Sequence, residues 1–321
     1  MIEVEVKDLK KQYDGHVAVD GLSFSIESGK IYGFLGPNGA GKSTTMNMIT
    51  GCLAATSGTV LIRGYDIYKE QKEAKRHLGY LPEIPPLYMD MTPEEYLRFV
   101  CEIKHIPAAE RAAAVDDVLS RTGTESVRRR LIRQLSKGYR QRVGIAQALV
   151  GYPETIILDE PTVGLDPIQI IEIRDLIREL GKTHTVLLSS HILSEVSELC
   201  DELIIISKGK LVARDTPERL AALSRGGMHL HLLALGEEDE VRHVLGRIPA
   251  VGETACTAGD PGETRVTALV TEECRSAIFF AFADAKIPLL EMRTEQTSLE
   301  QIFLDYVDKE SGAEAGDGSD L

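Results

Sequence analysis

The sequence predicts an α/β fold followed by a smaller α+β domain, on three observations. Short apolar runs bounded by loops, such as Thr155 to Leu158 and Leu203 to Ser207, alternate with helical patterns, as buried parallel strands and their crossover helices do. A glycine-rich segment, Gly36 to Thr44, lies between one such strand and one such helix. Beyond Gly227 the pattern restarts as strand, helix, two strands, helix and strand.

At the start of the chain, Ile2, Val4 and Val6 alternate with charges, and Leu22, Phe24 and Ile26 alternate with serines, which predicts two half-buried strands of an antiparallel sheet. Lys30 to Leu35 reads as a buried strand. Thr92-Pro93-Glu94-Glu95 supplies an N-cap, a proline at the first helical position and a capping-box acid. A helical stretch is expected from there to about Arg130, inside a helical subdomain at about residues 84–150. Leu135 to Arg142 opens a further helix through Val143, Ala146 and Val150, and Thr155 to Leu158, Thr185 to Ser190 and Leu203 to Ser207 supply more strands. A hairpin at Lys208-Gly209 and a short helix begun by Thr216-Pro217 close the first domain, expected at residues 1–223.

Ser224-Arg225-Gly226-Gly227 has linker composition. Strands are then expected at Met228 to Leu235, Ala250 to Thr257, Thr264 to Val270 and Ile287 to Arg293, with helices at Glu237 to Gly246 and Glu272 to Ala285 and a turn at Gly259-Asp260-Pro261-Gly262. That order is ferredoxin-like, βαββαβ. A closing helix opened by Ser298-Leu299-Glu300-Gln301 and running to about Val307 completes a second domain at 228–308; residues 309–321 are Gly, Ala and acid, and are expected to be disordered.

Composition narrows the function classes. The 321 residues suffice for about two domains with cores of their own. Basic residues number 36 against 50 acidic, and a net charge of −14 disfavours non-specific nucleic-acid binding, so any nucleotide needs a local site. The longest apolar run, Ala277 to Ala283, is far shorter than the ~20 residues of a membrane-spanning helix, and the N-terminus shows no basic-then-apolar secretory pattern. A cytosolic protein is expected. The five cysteines form no CxxC pair and read as small buried apolar residues.

Gly36-Pro37-Asn38-Gly39-Ala40-Gly41-Lys42-Ser43-Thr44 matches GxxxxGK[ST] and reads as a phosphate cradle, so a P-loop NTPase is the expected fold of the α/β domain. Backbone N–H groups turn inward around phosphates, the helix N-terminus adds positive dipole, Lys42 reaches the β/γ oxygens and the Ser43 hydroxyl coordinates Mg²⁺. Ile156-Ile157-Leu158-Asp159-Glu160 is an apolar strand ending in two carboxylates. Asp159 is expected to hold Mg²⁺ through water, and Glu160 to act as general base toward the attacking water.

Leu135-Ser136-Lys137-Gly138-Tyr139-Arg140-Gln141-Arg142 precedes that strand, and Gly164-Leu165-Asp166-Pro167 and His191 follow it. With the phosphate loop, this set resembles the ATP-binding cassette (ABC) family over residues 1 to about 220. The resemblance implies a mixed sheet with an antiparallel β subdomain and an inserted helical subdomain. It further implies that Ser136, Lys137 and Gly138 bind the γ-phosphate of ATP held by a partner chain, that Asp166 couples the two sites, that His191 contacts the γ-phosphate and the catalytic water, and that Tyr13 stacks on adenine. ATP and Mg²⁺ are the implied cofactors.

Two departures stand out. Lys137 and Tyr139 flank the serine and glycine where many cassettes have LSGGQ, and Glu83 stands where they have glutamine, after Leu78-Gly79-Tyr80-Leu81-Pro82. A carboxylate still ligates Mg²⁺ but donates no hydrogen bond to water. Taken singly, Tyr13 and His191 read as ordinary structural residues; order and spacing are what raise them. His229 and His231 share a strand face without a third ligand nearby, and Arg128, Arg129, Arg130 and Arg133 read as a solvated face.

The resemblance therefore implies a dimer, of two copies or of this chain and another cassette, with a homodimer expected, that drives separate transmembrane permease subunits from the cytoplasmic face of the membrane. Leu87, Tyr88, Tyr96 and Phe99 are expected to form the docking surface beside Glu83. The second domain and Thr297 to Leu304 are similar to the C-terminal extension of cassettes that energise multidrug and gliding-motility exporters. The alternative class, a soluble cassette ATPase acting on nucleic acid or ribosomes, usually brings two phosphate loops or a long coiled-coil insertion. This chain has one loop and about forty residues between Pro93 and Arg133. A non-hydrolysing ATP-gated protein would require a defect at Glu160 or His191, and neither is missing.

Overall fold

The computed structural model describes residues 1–223, 228–259, 262–270 and 273–296. The chain divides into two compact units, Met1–Pro217 and Glu218–Leu321. In the first, β1 (Ile2–Tyr13) and β2 (His16–Glu27) pair antiparallel, with Tyr13 opposite His16 across the turn. The register slips between Ile2 and Val4, so Glu3 turns inward and Ile2 is exposed, contrary to the strict alternation expected of Ile2, Val4 and Val6. Arg63 Nε, 3.6 Å from Glu3 Oε2, offsets the buried charge.

β3 (Ile31–Leu35) is apolar and buried throughout and feeds α1 (Lys42–Ile49). β4 (Ser57–Ile62) and β5 (Tyr65–Asp66) complete a four-stranded antiparallel sheet in the order β2-β1-β4-β5. Next come α2 (Gln71–Arg76), β6 (Leu78–Leu81) and α3 (Pro93–Ile103). Thr92 makes the capping box, accepting from the Glu95 amide at 3.3 Å while its own amide donates to the Glu95 carboxylate at 2.8 Å.

The helical stretch expected to continue to Arg130 is broken. After α3, His105 takes φ 58°, Pro107 carries no amide donor, and α4 (Arg111–Arg121) follows, then a single 3₁₀ turn at Glu125–Val127. The basic run is not a solvated face throughout, because Arg128 bonds Glu94 and Asp116, each at 3.0 Å, and Arg133 bonds Asp90 at 2.8 Å.

α5 (Lys137–Leu149), β7 (Thr155–Leu158), α6 (Pro167–Gly181), β8 (Thr185–Ser190), α7 (Leu193–Ser197), β9 (Glu202–Ser207) and β10 (Lys210–Asp215) complete the unit, and α8 (Pro217–Leu223) begins at its end. The six-stranded sheet runs β10-β9-β3-β8-β7-β6, parallel except for β10. β3, β8 and β7 are therefore neighbours with their carboxyl ends on one edge. That edge is where open α/β sheets bind ligands. A core containing Val4, Phe24, Phe34, Met46 and Ile157 joins the antiparallel sheet to the parallel one, with Phe24 and Phe34 ring centroids 5.7 Å apart.

The second unit carries β11 (Met228–Leu235), α9 (Glu238–Leu245), β12 (Val251–Ala258), β13 (Glu263–Val270), α10 (Arg275–Asp284) and β14 (Leu289–Gln296). Its strands pair antiparallel in the order β12-β13-β11-β14. Leu230, Leu232, Val241, Leu245, Val266, Ile278 and Phe282 form its core. The linker expected at 224–227, the centre of the turn at 260–261, the closing helix at 298–307 and the tail at 309–321 lie outside the described residues. The cysteines are all free; Cys101, Cys200 and Cys274 are buried as expected, whereas Cys52 is exposed and Cys256 half-buried. Cys52 falls in the loop leaving α1. Among the described residues no helix is long and apolar enough to cross a membrane.

Candidate nucleotide site

The phosphate loop leaves β3 at Gly36 and enters α1 at Lys42. Gly39 and Gly41 take φ 81° and 99°, a left-handed backbone open to glycine. A Cβ on Gly41 would stand 2.5 Å from the Ala18 carbonyl oxygen, so the loop is also held against β2. The Ala40 amide donates to the Pro37 carbonyl at 3.1 Å, and Ala40 itself is buried. Lys42 is nearly buried; its Nζ donates to the carbonyls of Gly36 at 2.8 Å and Pro37 at 3.4 Å, and lies 3.4 Å from Glu160 Oε1. The ammonium is thereby pinned across the loop mouth.

β7 ends beside it. Asp159 is 2% exposed, and its Oδ1 accepts from Ser189 Oγ at 2.6 Å and from Ser43 Oγ at 3.5 Å. Burial pushes the Asp159 carboxyl above its usual range, the Glu160 and Glu83 carboxylates push the same way, and the two hydroxyls oppose them. Such a carboxylate, facing a hydroxyl and short of positive charge, suits a cation. Among the described residues no group of three or more acidic, His or Cys side chains forms a metal cage.

Glu160 takes φ 48°, a conformation that costs a non-glycine residue about 1–2 kcal/mol. Three contacts hold it there. Its amide donates to Ser189 Oγ at 2.8 Å, Oε1 faces Lys42, and Oε2 lies 2.9 Å from His191 Nδ1. An ionised carboxylate only accepts, so Nδ1 carries the hydrogen and Nε2 remains for another partner.

These groups border a cavity of about 470 Å³ with Tyr13, Pro37, Asn38, Gly39, Gly41, Lys42, Ser43, Thr44, Glu83, Glu160 and His191 on its walls. Asp159 lies behind Ser43 and reaches the site through that hydroxyl. His16, Ala18 and Val163 also line the cavity, and Ser189 organises both acids from beneath. The reading of the sequence missed all four. His16 and Ala18 could have been suspected from the tight turn after Tyr13, and Ser189 from its place two residues before His191.

Ser136, Gly138 and Asp166 are elsewhere. They border a second cavity of about 360 Å³ with Tyr139, Arg142 and Gln169, and no residue lines both cavities. Ser136 caps α5 by accepting from the Tyr139 amide at 3.3 Å, and Asp166 caps α6 by accepting from the Gln169 amide at 2.9 Å. Lys137 extends over Gly164, which takes φ 69°. The expected apolar docking surface is altered too. Tyr96 is buried, its hydroxyl donating to the Pro86 carbonyl at 3.1 Å, and it supports Tyr88, whose ring also meets Phe99. The exposed apolar side chains there are Ile84, Tyr88 and Met89, because α3 turns Tyr96 toward its own packing face.

The chain is similar to known proteins over most of its length. Residues 19–163 match the family profile described as ABC transporter. The bacitracin transport ATP-binding protein BcrA of Bacillus licheniformis is 44% identical over 211 residues, 65% of this chain and 68% of that protein. The linearmycin resistance ATP-binding protein LnrL of Bacillus subtilis (strain 168) is 32% identical over 305 residues, 94% of this chain and 97% of that protein. Among similar solved structures is a dimeric post-hydrolysis state of the ATP-binding cassette MJ0796 bound to ADP and Pi, 25% identical with a TM-score of 0.61, covering 67% of this chain and 98% of that one.

Proposed function

Because the chain belongs to the ABC transporter family as an ATP-binding, ATP-hydrolysing subunit, we propose that it works as one half of an ATP-clamped dimer that drives separate transmembrane permease subunits in export. One observation supports the clamp above the rest: the phosphate-loop cavity and the Ser136–Gly138 cavity share no residue, so Ser136 and Gly138 do not border the phosphate-loop cavity of their own chain. In a dimer the first cavity of one chain faces the second cavity of its partner. The α5 N-terminus, with Ser136 and the Gly138 amide, then meets the γ-phosphate. ATP gains affinity for the closed dimer from contacts on both chains, and hydrolysis removes that preference.

Within one site, the amides of residues 39–44 and Lys42 hold the phosphates, and Tyr13 takes the adenine. Glu160, fixed between Lys42 and His191, accepts the proton of the attacking water as the bond to the γ-phosphorus forms and the β–γ bridge breaks, leaving ADP and phosphate. His191, with Nδ1 committed to Glu160, presents Nε2 to the γ-phosphate. Ser43, Asp159 and Glu83 would hold Mg²⁺, which supplies charge neutralisation of the β and γ oxygens. Glu83 differs from the glutamine of other cassettes in having no hydrogen to give the water.

Export is supported by the names of the relatives, which concern bacitracin transport and linearmycin resistance. Neither concerns nucleic acid. On this reading the subunit sits peripherally at the cytoplasmic face, docked through Ile84, Tyr88 and Met89 in the helical subdomain at 84–150. We assign residues 1–223 to the cassette and 228–308 to a ferredoxin-like accessory domain; the antiparallel order β12-β13-β11-β14 with α9 and α10 in the connections supports that fold.

The test is Glu160→Gln, purified from detergent-solubilised membranes. Hydrolysis should fall by at least about 10²-fold, ATP should shift the chain to a dimer in sedimentation, and a polytopic membrane protein should accompany it. Full turnover would reject Glu160 as base, and a purely soluble pool carrying nucleic acid would favour the alternative class.

A further inference from the structure

Tyr13 ends β1 at the rim of the nucleotide cavity and is half exposed, so its ring needs a neighbour to fix its plane. Lys11 precedes it by two residues, on the same face of the strand. Its Nζ sits 5.2 Å from the Tyr13 ring centroid. The same ammonium donates to the Ala54 carbonyl at 2.8 Å, in the loop that leads into β4. Lys11 is not among the residues lining the cavity. The charge is therefore anchored outside the nucleotide space while covering one face of the ring that borders it.

We propose that Lys11 is a positioning residue for the nucleobase, holding Tyr13 as a one-sided stacking platform. An ammonium over a tyrosine is attracted by the negative face of the ring's quadrupole and resists its rotation. One face is then occupied, which leaves the opposite face for an adenine. The cation also draws π density toward itself, so the opposite face repels the π cloud of the base less. Gln12 lies between the two residues, and its backbone amide donates to Thr56 Oγ1 at 3.0 Å, so the segment is tied to the β4 side at a second point. This inference rests on Tyr13 being the adenine platform and adds the residue that sets its geometry.

The experiment compares Lys11→Met, which keeps an aliphatic stem, with Lys11→Arg, which keeps a cation, in the full chain. Equilibrium binding is measured for ATP and for tripolyphosphate, which has no base. Lys11→Met should weaken ATP about two- to fivefold, the range of a partly exposed cation–π contact, and leave tripolyphosphate unchanged. Lys11→Arg should restore most of the loss, and Lys11→Met should add nothing to Tyr13→Ala. Equal weakening of both ligands, or the same loss in the Tyr13→Ala background, would overturn the inference by showing a general structural role. Tyr13→Ala binding ATP as wild type would instead overturn the adenine assignment, and Lys11's role with it.

Discussion

At the residue scale, the site is a set of carboxylates crowded on purpose around a place for positive charge. Asp159 carries the clearest consequence. Burial holds its folded-state pKa above the unfolded 3.8, so the stability this group contributes is full below 3.8 and is lost as pH rises through the folded value. Asp159→Asn keeps an acceptor for Ser189 and Ser43 without the charge. Its nucleotide-free form should melt above wild type at neutral pH, with the gap closing as the pH falls toward the unfolded carboxyl, while Mg²⁺-dependent ATP binding weakens. Thermal melts at two pH values check this, and a variant less stable at neutral pH would contradict it. Residues of this kind are unequally legible in sequence. Gly36 to Thr44 and Asp159-Glu160 are contiguous, so their spacing is their signature. Ser189 lies 30 positions from Asp159 and meets it only because β8 pairs beside β7. Its role is a property of strand order.

At the scale of elements, most strands and helices followed from local rules, and the misses have local causes. The capping box at Thr92 marked the start of α3, but the apolar periodicity beyond it hid the break that His105 and Pro107 impose. The slip at Ile2 could not be read because a bulge reverses inside and outside without changing the residue pattern. α5 shows what the break is for. Lys104, just past α3, sends Nζ to the Val150 and Ala148 carbonyls at 2.5 and 3.5 Å, tying down the end of α5 opposite Ser136 and Gly138. Burial lowers the Lys104 pKa from 10.5 to about 8. Between those values the unfolded chain holds a proton that the folded chain does not, so this group's contribution to stability rises with pH. The stability of wild type relative to Lys104→Met should therefore increase from about pH 8 to 10.5, as denaturant titrations would register. A difference independent of pH would show that the ammonium is not buried as described.

For the whole molecule, the parallel sheet collects the phosphate loop, the paired acids and His191 on one edge, whereas Ser136, Gly138 and Asp166 cap two helices around a different cavity. Family resemblance anticipated that separation; spacing alone did not, since nothing in the order of motifs says which of them share a cavity. The docking surface was less legible, because whether Tyr96 faces solvent depends on how α3 packs, and it packs inward. The account stands on hydrolysis needing two chains. Specific ATPase activity measured over a dilution series, with sedimentation reporting the monomer fraction, tests it most directly. Activity per chain should fall as monomer accumulates, and turnover per chain that stays constant in a fully monomeric sample would contradict it.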